Sequence, residues 1–247
     1  MDLIINADDC GRTIQQNISI ERAIIANKVT STSIMANMEA FEGAITLYNN
    51  YNKEVSFGVH LNLTEGEPLL YSQKLLDIGF YKQVEGKLQF NGYSFIRKFL
   101  PKIYLHDIRK ELVLQVNKIR DYGVTLSHID SHNHIHTSNF MIFLLPTICE
   151  ELKIYNIRNI RNLIPFSTSL YIRKAWTTTE KILCPKLRFT NKFASFTDFQ
   201  NWGNDMNFDT FEIMCHPGHP SYLVEEAALL QYEIPKQYKL INYNQLK

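Results

Sequence analysis

Three observations predict an α/β fold built on parallel strands. Short apolar runs of strand length alternate with stretches of helical periodicity. Polar clusters able to do chemistry fall where the apolar runs end. The length, 247 residues, suits one (β/α) barrel, which takes roughly 250. No Gly/Ser/Pro-rich linker, internal repeat or low-complexity tract divides the chain, so 1–247 reads as a single domain.

"LIINA", residues 3–7, is a strand-length apolar run that ends at Asp8 and Asp9, with Gly11 beyond. Apolar residues at Ile14, Ile18, Ala23 and Ile25, among good helix positions, predict a helix from Ile14 to Ala26. "STSIMAN" gives a second strand, Glu39 to Asn49 a second helix, and "VSFGVHLN" a third strand carrying His60. Ile108, Leu112, Val116 and Ile119 mark one face of a helix that Gly123 ends, and "VTLSHID" follows as a strand. "PTICEELKIYNIRNIR" and "FDTFEIMCHPG" are further helix-to-strand passages. Residues 66–106 and 163–210 lack sustained periodicity and read as elaborations of the one domain.

The totals narrow the partners. Hydrophobic content of 45%, charged content of 21% and a net charge of +1 give no electrostatic reason to expect nucleic acid or a membrane surface. The partner expected is a small molecule. "MDLIINADDC" lacks a basic stretch followed by an apolar one, and no apolar run approaches the length of a membrane span, so a cytoplasmic location is expected. Cys10, Cys149, Cys184 and Cys215 have no CxxC spacing, and most are expected to be buried thiols.

Four histidines and an aspartate crowd into "SHIDSHNHIH", Ser127 to His136, in a chain with eight histidines. In parallel α/β architectures the C-terminal ends of the strands form the active face, so "ADD", "GVH" and "HIDSHNHIH" are expected to meet. A divalent metal that activates water needs few protein ligands, and one carboxylate with two imidazoles leaves room for water and substrate. Asp9, His60 and His132 are the candidate ligands. Asp8 is then left as the general base, kept ionised by the neighbouring cation. Extended backbone would put His128, Asp130, His132, His134 and His136 on one side. They cannot all reach one ion, so Asp130 is expected to orient an imidazole, and His134 and His136 to line the pocket or bind substrate hydroxyls. "MCHPG" has two readings: a strand ending in a rigid Pro-Gly turn, or His216 held across the site as the acid that protonates a leaving amine.

"NADDCG", "TSTSIMAN", "GVHLNLTEGEPL", "HIDSHNHIH" and "MCHPG" stand in the order and approximate spacing of the YdjC-like (ChbG) carbohydrate deacetylase family, which the chain resembles from residue 3 to about 220. The resemblance implies a distorted (β/α) barrel related to polysaccharide deacetylases and one divalent metal ion, Mg²⁺ or Zn²⁺. It also implies hydrolytic removal of an acetyl group from an N-acetylated sugar, and a homodimer. Carried onto matching positions, the acidic pair is Asp8 and Asp9, with ligation by the second, and the ligand histidines are His60 and His132. Arg158 or Arg161 matches a stretch in which the family carries pocket arginines. The family commonly reads "NADDFG", so Cys10 replaces an aromatic. A smaller packing residue is the first explanation, ahead of a preference for a softer metal such as Zn²⁺ or a thiol open to oxidation.

The expected activity is therefore metal-dependent deacetylation of a mono- or oligosaccharide containing N-acetylglucosamine, chitooligosaccharide-like. A metal phosphoesterase of histidine-rich barrel type would also cluster His and Asp, but such folds typically carry HxH on the first strand. A sugar-binding relative without catalysis would release no acetate.

Overall fold

The computed structural model describes residues 1–92, 100–163, 169–202 and 208–246, without the side chains of 169–174 and 202. The chain begins β1 (Asp2–Cys10), α1 (Ile14–Ile25), β2 (Ser31–Ile34), α2 (Phe41–Tyr51), β3 (Ser56–Leu61) and α3 (Gln73–Asp77). A hairpin of β4 (Tyr81–Val84) and β5 (Lys87–Phe90) precedes α4 (Lys102–Asp121), β6 (Ile129–Ser131) and α5 (Met141–Leu152). The remainder is α6 (Ser169–Leu183), β7 (Lys192–Ser195), α7 (Phe196–Trp202), β8 (Thr210–Cys215), α8 (Leu223–Gln231) and β9 (Lys239–Leu240). Of the two expected elaborations, the hairpin lies in 66–106 and α6 to α7 in 163–210. Residues 93–99, 164–168 and 203–207 lie outside the described residues.

Six strands pair in parallel in the order β6-β3-β2-β1-β8-β7, with β9 against the start of β1. Between β6 and β7 the circuit continues through isolated contacts. Ile157 bridges Ile129, Asn156 bridges Arg188, and Asn162 N–H donates to Phe193 O at 3.2 Å. The architecture is a distorted barrel with a regular parallel ladder around part of its circumference and irregular backbone around the rest.

Alternation along β1 separates two environments. Leu3, Ile5 and Ala7 join the main core, whereas Ile4 packs with Ile241, Tyr243 and Leu246 from the C-terminal segment. Tyr243 stacks on His128 with centroids 3.8 Å apart, and its N–H donates to Ser56 Oγ at 3.1 Å. The last residues thus plug the barrel at the end remote from the strand C-termini. Gly58 makes room for this stack: a Cβ there would lie 2.4–2.6 Å from three atoms of the His128 ring.

Three expectations change in detail. The strand expected after the helix in "PTICEELKIYNIRNIR" is reduced to isolated bridges at Asn156 and Ile157. Regular strand in "VTLSHID" is confined to Ile129–Ser131. The apolar positions Ile14, Ile18 and Ile25 of α1 are exposed, while Gln16, Asn17, Ser19, Ile20, Ala23 and Ile24 are buried. The inward polar residues are structural. Asn17 Oδ1 accepts Gly11 N–H at 2.7 Å, and its Nδ2 donates to Ala40 O at 2.9 Å. On α4 the predicted face is fully buried at Ile108, Leu112, Val116 and Ile119, and Gln115 exchanges hydrogen bonds with the Asn62 backbone at 2.9 and 2.6 Å. This anchors the loop after β3. Among the described residues no helix is long and apolar enough to cross a membrane.

Candidate active site

Consecutive residues of a regular strand point to opposite faces, which would separate Asp8 from Asp9. Here the β1–β2 register slips between Ala7 and Cys10, and Asp9 has φ 66°. A non-glycine residue held in that left-handed region costs on the order of 1–3 kcal/mol. The irregularity brings both carboxylates to the same cluster. Asn133 and His134, at φ 52° and 53°, are strained likewise just after β6.

Asp9 Oδ1 lies 3.2 Å from His60 Nε2 and 2.8 Å from His132 Nδ1, while Gln16 Nε2 donates to its Oδ2 at 3.3 Å. Behind His60, Nδ1 meets Asp130 Oδ1 at 2.8 Å and Ser33 Oγ at 3.0 Å, an arrangement open to it because β3 and β6 register His60 against Asp130. His132 Nε2 meets Glu65 Oε1 at 2.8 Å, and Glu65 is held by Arg12 at 2.6 Å. Burial alone would raise the Asp9 carboxyl, but His132 and His60 hold it well below the usual range. Burial alone would lower His60, yet Asp130 and Asp9 outweigh it and raise the imidazole to about 10.

Donor atoms of Asp9, His60 and His132 all lie within 4.8 Å of one another. One carboxylate and two imidazoles, each backed by a carboxylate, suit a divalent cation. A second grouping, Asp8, His60 and Asp130, is equally close, but a guanidinium already neutralises it. Arg158 donates to both oxygens of Asp8 at 2.6 and 2.7 Å and to Glu212 Oε1 at 2.8 Å, and its Nη2 forms an ion pair with Asp130 Oδ2 at 2.8 Å. Its side chain is 0% exposed, so Arg158 is a buried clamp rather than a pocket wall. Arg161 is turned elsewhere, onto Asp198 at 2.7 Å.

Burial would raise the Asp8 carboxyl, but Arg158 overrides it and keeps the group below its ordinary value. Asp8 Oδ1 also accepts from Asn6 Nδ2 at 2.8 Å. With two acceptor positions per oxygen, Oδ1 is filled and Oδ2 keeps one open. His216 Nε2 lies 3.9 Å from that Oδ2.

The histidines of "SHIDSHNHIH" do not form one row, because strand alternation stops at Ser131 and a 3-10 turn spans His132–Thr137. His132 reaches the Asp9 cluster. His134 rests edge-on against Phe193 and His136 bonds Ser131 Oγ, with His134 Nδ1 and His136 Nε2 buried and without a hydrogen-bond partner. Burial pushes His134 down to about 3 and His136 well below the usual histidine value. His128 faces Tyr243 instead. Cys10 is fully buried in the main core, and burial pushes its thiol up to about 12, so it is a neutral packing group.

Several participants escaped the sequence reading. Asn6, Arg12, Ser33 and Glu65 lie in or beside the quoted motifs, but nothing in residue type alone singles them out. Glu212 had a signal, being the one charge within the strand "TFEIMC". Burial raises its carboxyl to about 7 despite Arg158.

A family model described as YdjC-like protein matches residues 2–247. The chain belongs to the YdjC-like family. It is 32% identical to a carbohydrate deacetylase of Clostridium beijerinckii over 225 residues, covering 89% of this chain and 82% of that one. It is 28% identical to a carbohydrate deacetylase of Vibrio cholerae over 257 residues, covering 100% and 90%. A crystal structure of a protein from Enterococcus faecalis V583, named for cellobiose-phosphate cleavage, superposes with a TM-score of 0.78 at 20% identity over 98% of this chain and 97% of that one. At that identity the likeness concerns the fold.

Proposed function

We propose that the chain is a metal-dependent hydrolase that removes the acetyl group from an N-acetylated sugar, a mono- or oligosaccharide containing N-acetylglucosamine. The observation that carries the reading is the grouping of three cation donors with an ionised carboxylate and an imidazole. Asp9, His60 and His132 converge, and beside them Asp8 Oδ2 and His216 Nε2 stand 3.9 Å apart. The curated relatives named carbohydrate deacetylase support the substrate class.

A divalent ion such as Mg²⁺ or Zn²⁺, held by Asp9, His60 and His132, would acidify water and polarise the acetamide carbonyl. Asp8 accepts the proton of the attacking water through the open position on Oδ2. Its lowered basicity is tolerable only for a water made more acidic than bulk water. Arg158 fixes the plane of that carboxylate and Asp130 fixes the ring of His60. His216 gives a proton to the nitrogen as the C–N bond breaks, so acetate and a free amine leave. The rest of an oligosaccharide would extend into the adjoining groove of about 980 Å³, lined in part by Arg12, Asn37, Glu65, Lys87 and Gly218.

The test is acetate release from a panel of N-acetylated mono- and oligosaccharides after loading with Mg²⁺, Zn²⁺, Mn²⁺ or Co²⁺. Acetate from at least one metal-loaded form is expected. Phosphate release from sugar phosphates without acetate would point to a phosphoesterase, and tight sugar binding with neither product to a binding protein.

A further inference from the structure

The turn that carries His216 is clamped from two sides. Gly218, at φ +75°, lies so close to α1 that a Cβ would approach Ser19 Oγ, Gln15 O and Gln16 Cα within 2.8–2.9 Å. From α8, Glu226 Oε2 accepts Gly218 N–H and Glu225 Oε1 accepts His216 N–H, each at 2.8 Å. The two glutamates differ in one respect. Glu225 Oε1 also lies 3.5 Å from His216 Nδ1, an ion-pair contact without a hydrogen bond to that buried nitrogen, and the glutamate's side chain is only 7% exposed, so its charge is little screened. Tyr222 stacks on the imidazole at 4.8 Å, which fixes the ring plane. With Nδ1 turned to Glu225, Nε2 is the nitrogen left facing Asp8.

We propose that Glu225 is the positioning residue of His216: its carboxylate orients the imidazole through Nδ1 and keeps the proton on Nε2 available to the departing amine. This rests on the reading of His216 as the proton donor. Anchoring the backbone would need only an acceptor oxygen, as Glu226 supplies at Gly218. The charge beside the ring is what an imidazole requires to stay protonated and held in one orientation. The groups that act on His216 are Glu225 from α8, Asp8 and Asp9 from β1, His219 from its own turn and His134 from the turn after β6. Burial would lower the imidazole, and the carboxylates together raise it.

The experiment compares Glu225→Gln and Glu226→Gln with the metal-loaded parent on two substrates, an N-acetylated sugar and 4-nitrophenyl acetate, whose leaving group needs no proton. Glu225→Gln retains an oxygen for His216 N–H and loses the charge. It should lower kcat on the amide about tenfold with KM nearly unchanged and leave the ester within about twofold. Glu226→Gln should keep the parent's amide-to-ester ratio. By NMR, the His216 imidazole of Glu225→Gln should titrate at lower pH than the parent's, a readout independent of turnover. Equal losses on both substrates, an unchanged amide kcat or an unmoved titration would each overturn the role of Glu225. If His216→Gln shows no amide-selective loss, the donor itself is misassigned and Glu225 falls with it. A parent that releases no acetate overturns the functional reading as well.

Discussion

Arg158 offers the sharpest test of how the site is held. Its guanidinium joins Asp8, Asp130 and Glu212, all buried, through contacts of 2.6–2.8 Å. Removing one partner of a buried ion pair typically costs about 3–5 kcal/mol, because the survivor stays desolvated and unpaired. Arg158→Leu leaves Asp8 and Glu212 without their guanidinium and Asp130 with His60 alone, so the loss of stability at pH 7 should reach about 3–5 kcal/mol, against the roughly 5–15 kcal/mol that holds a typical domain folded. The sign of the pH dependence follows from the carboxyls. In the parent, Asp8 and Asp130 are held below the unfolded value of 3.8, so they stabilise the fold above that pH. Without the arginine, burial is opposed mainly by His60, and both carboxyls shift upward. The folded variant then binds more protons than the folded parent, so the stability gap between them narrows as pH falls. Urea unfolding of metal-free parent and variant from pH 8 to pH 5 should show the gap narrowing toward pH 5. A loss under about 1 kcal/mol, or a gap independent of pH, would refute the clamp.

Metal binding should release at least one proton per chain at pH 7. His60 is raised to about 10 in the free protein and must lose its proton to bind a cation, so affinity should climb between pH 6 and 9. The same raised imidazole stabilises the metal-free fold below 6.5, and that contribution is lost as pH rises through about 10. Calorimetry in buffers of different ionisation enthalpy would detect the proton, and its absence would count against His60 as a ligand. Asp8→Asn should bind the cation yet lose on the order of 100- to 10,000-fold in turnover, since an amide cannot take the proton from water. Unchanged acetate release would remove Asp8 from the mechanism. Gly58→Ala should cost about 1–3 kcal/mol by driving a methyl into the His128 ring, but far less in a His128→Ala background. A double-mutant cycle showing simple additivity would contradict the contact.

Local pattern carried much of this protein. The 3.6-residue spacing of Ile108, Leu112, Val116 and Ile119 and the apolar runs before Asp8 and His60 report burial of one face, which is a property of neighbouring positions. Parallel order then follows from alternating strands and helices, and it sends strand ends to one face. Where the pattern misled, tertiary contacts overrode it: α1 buries Gln16 and Asn17 because they bond Asp9 and Gly11, leaving Ile14 and Ile18 outside.

By itself, then, the sequence determined the strand-helix alternation, the family and the residue types available for the site, because periodicity and motif order are written along the chain. The tertiary structure alone decided which of those residues meet. The bulge at Asp9 set the aim of two adjacent carboxylates, the turn after Ser131 broke the histidine row, and Arg158 was assigned to a buried clamp. Glu65 and Glu225 came to His132 and His216 from elements packed alongside. The physical reason is that charge, burial and reach act through space, and a carboxylate's role depends on which cation or imidazole lies within about 3 Å of it, a distance that residue number does not encode.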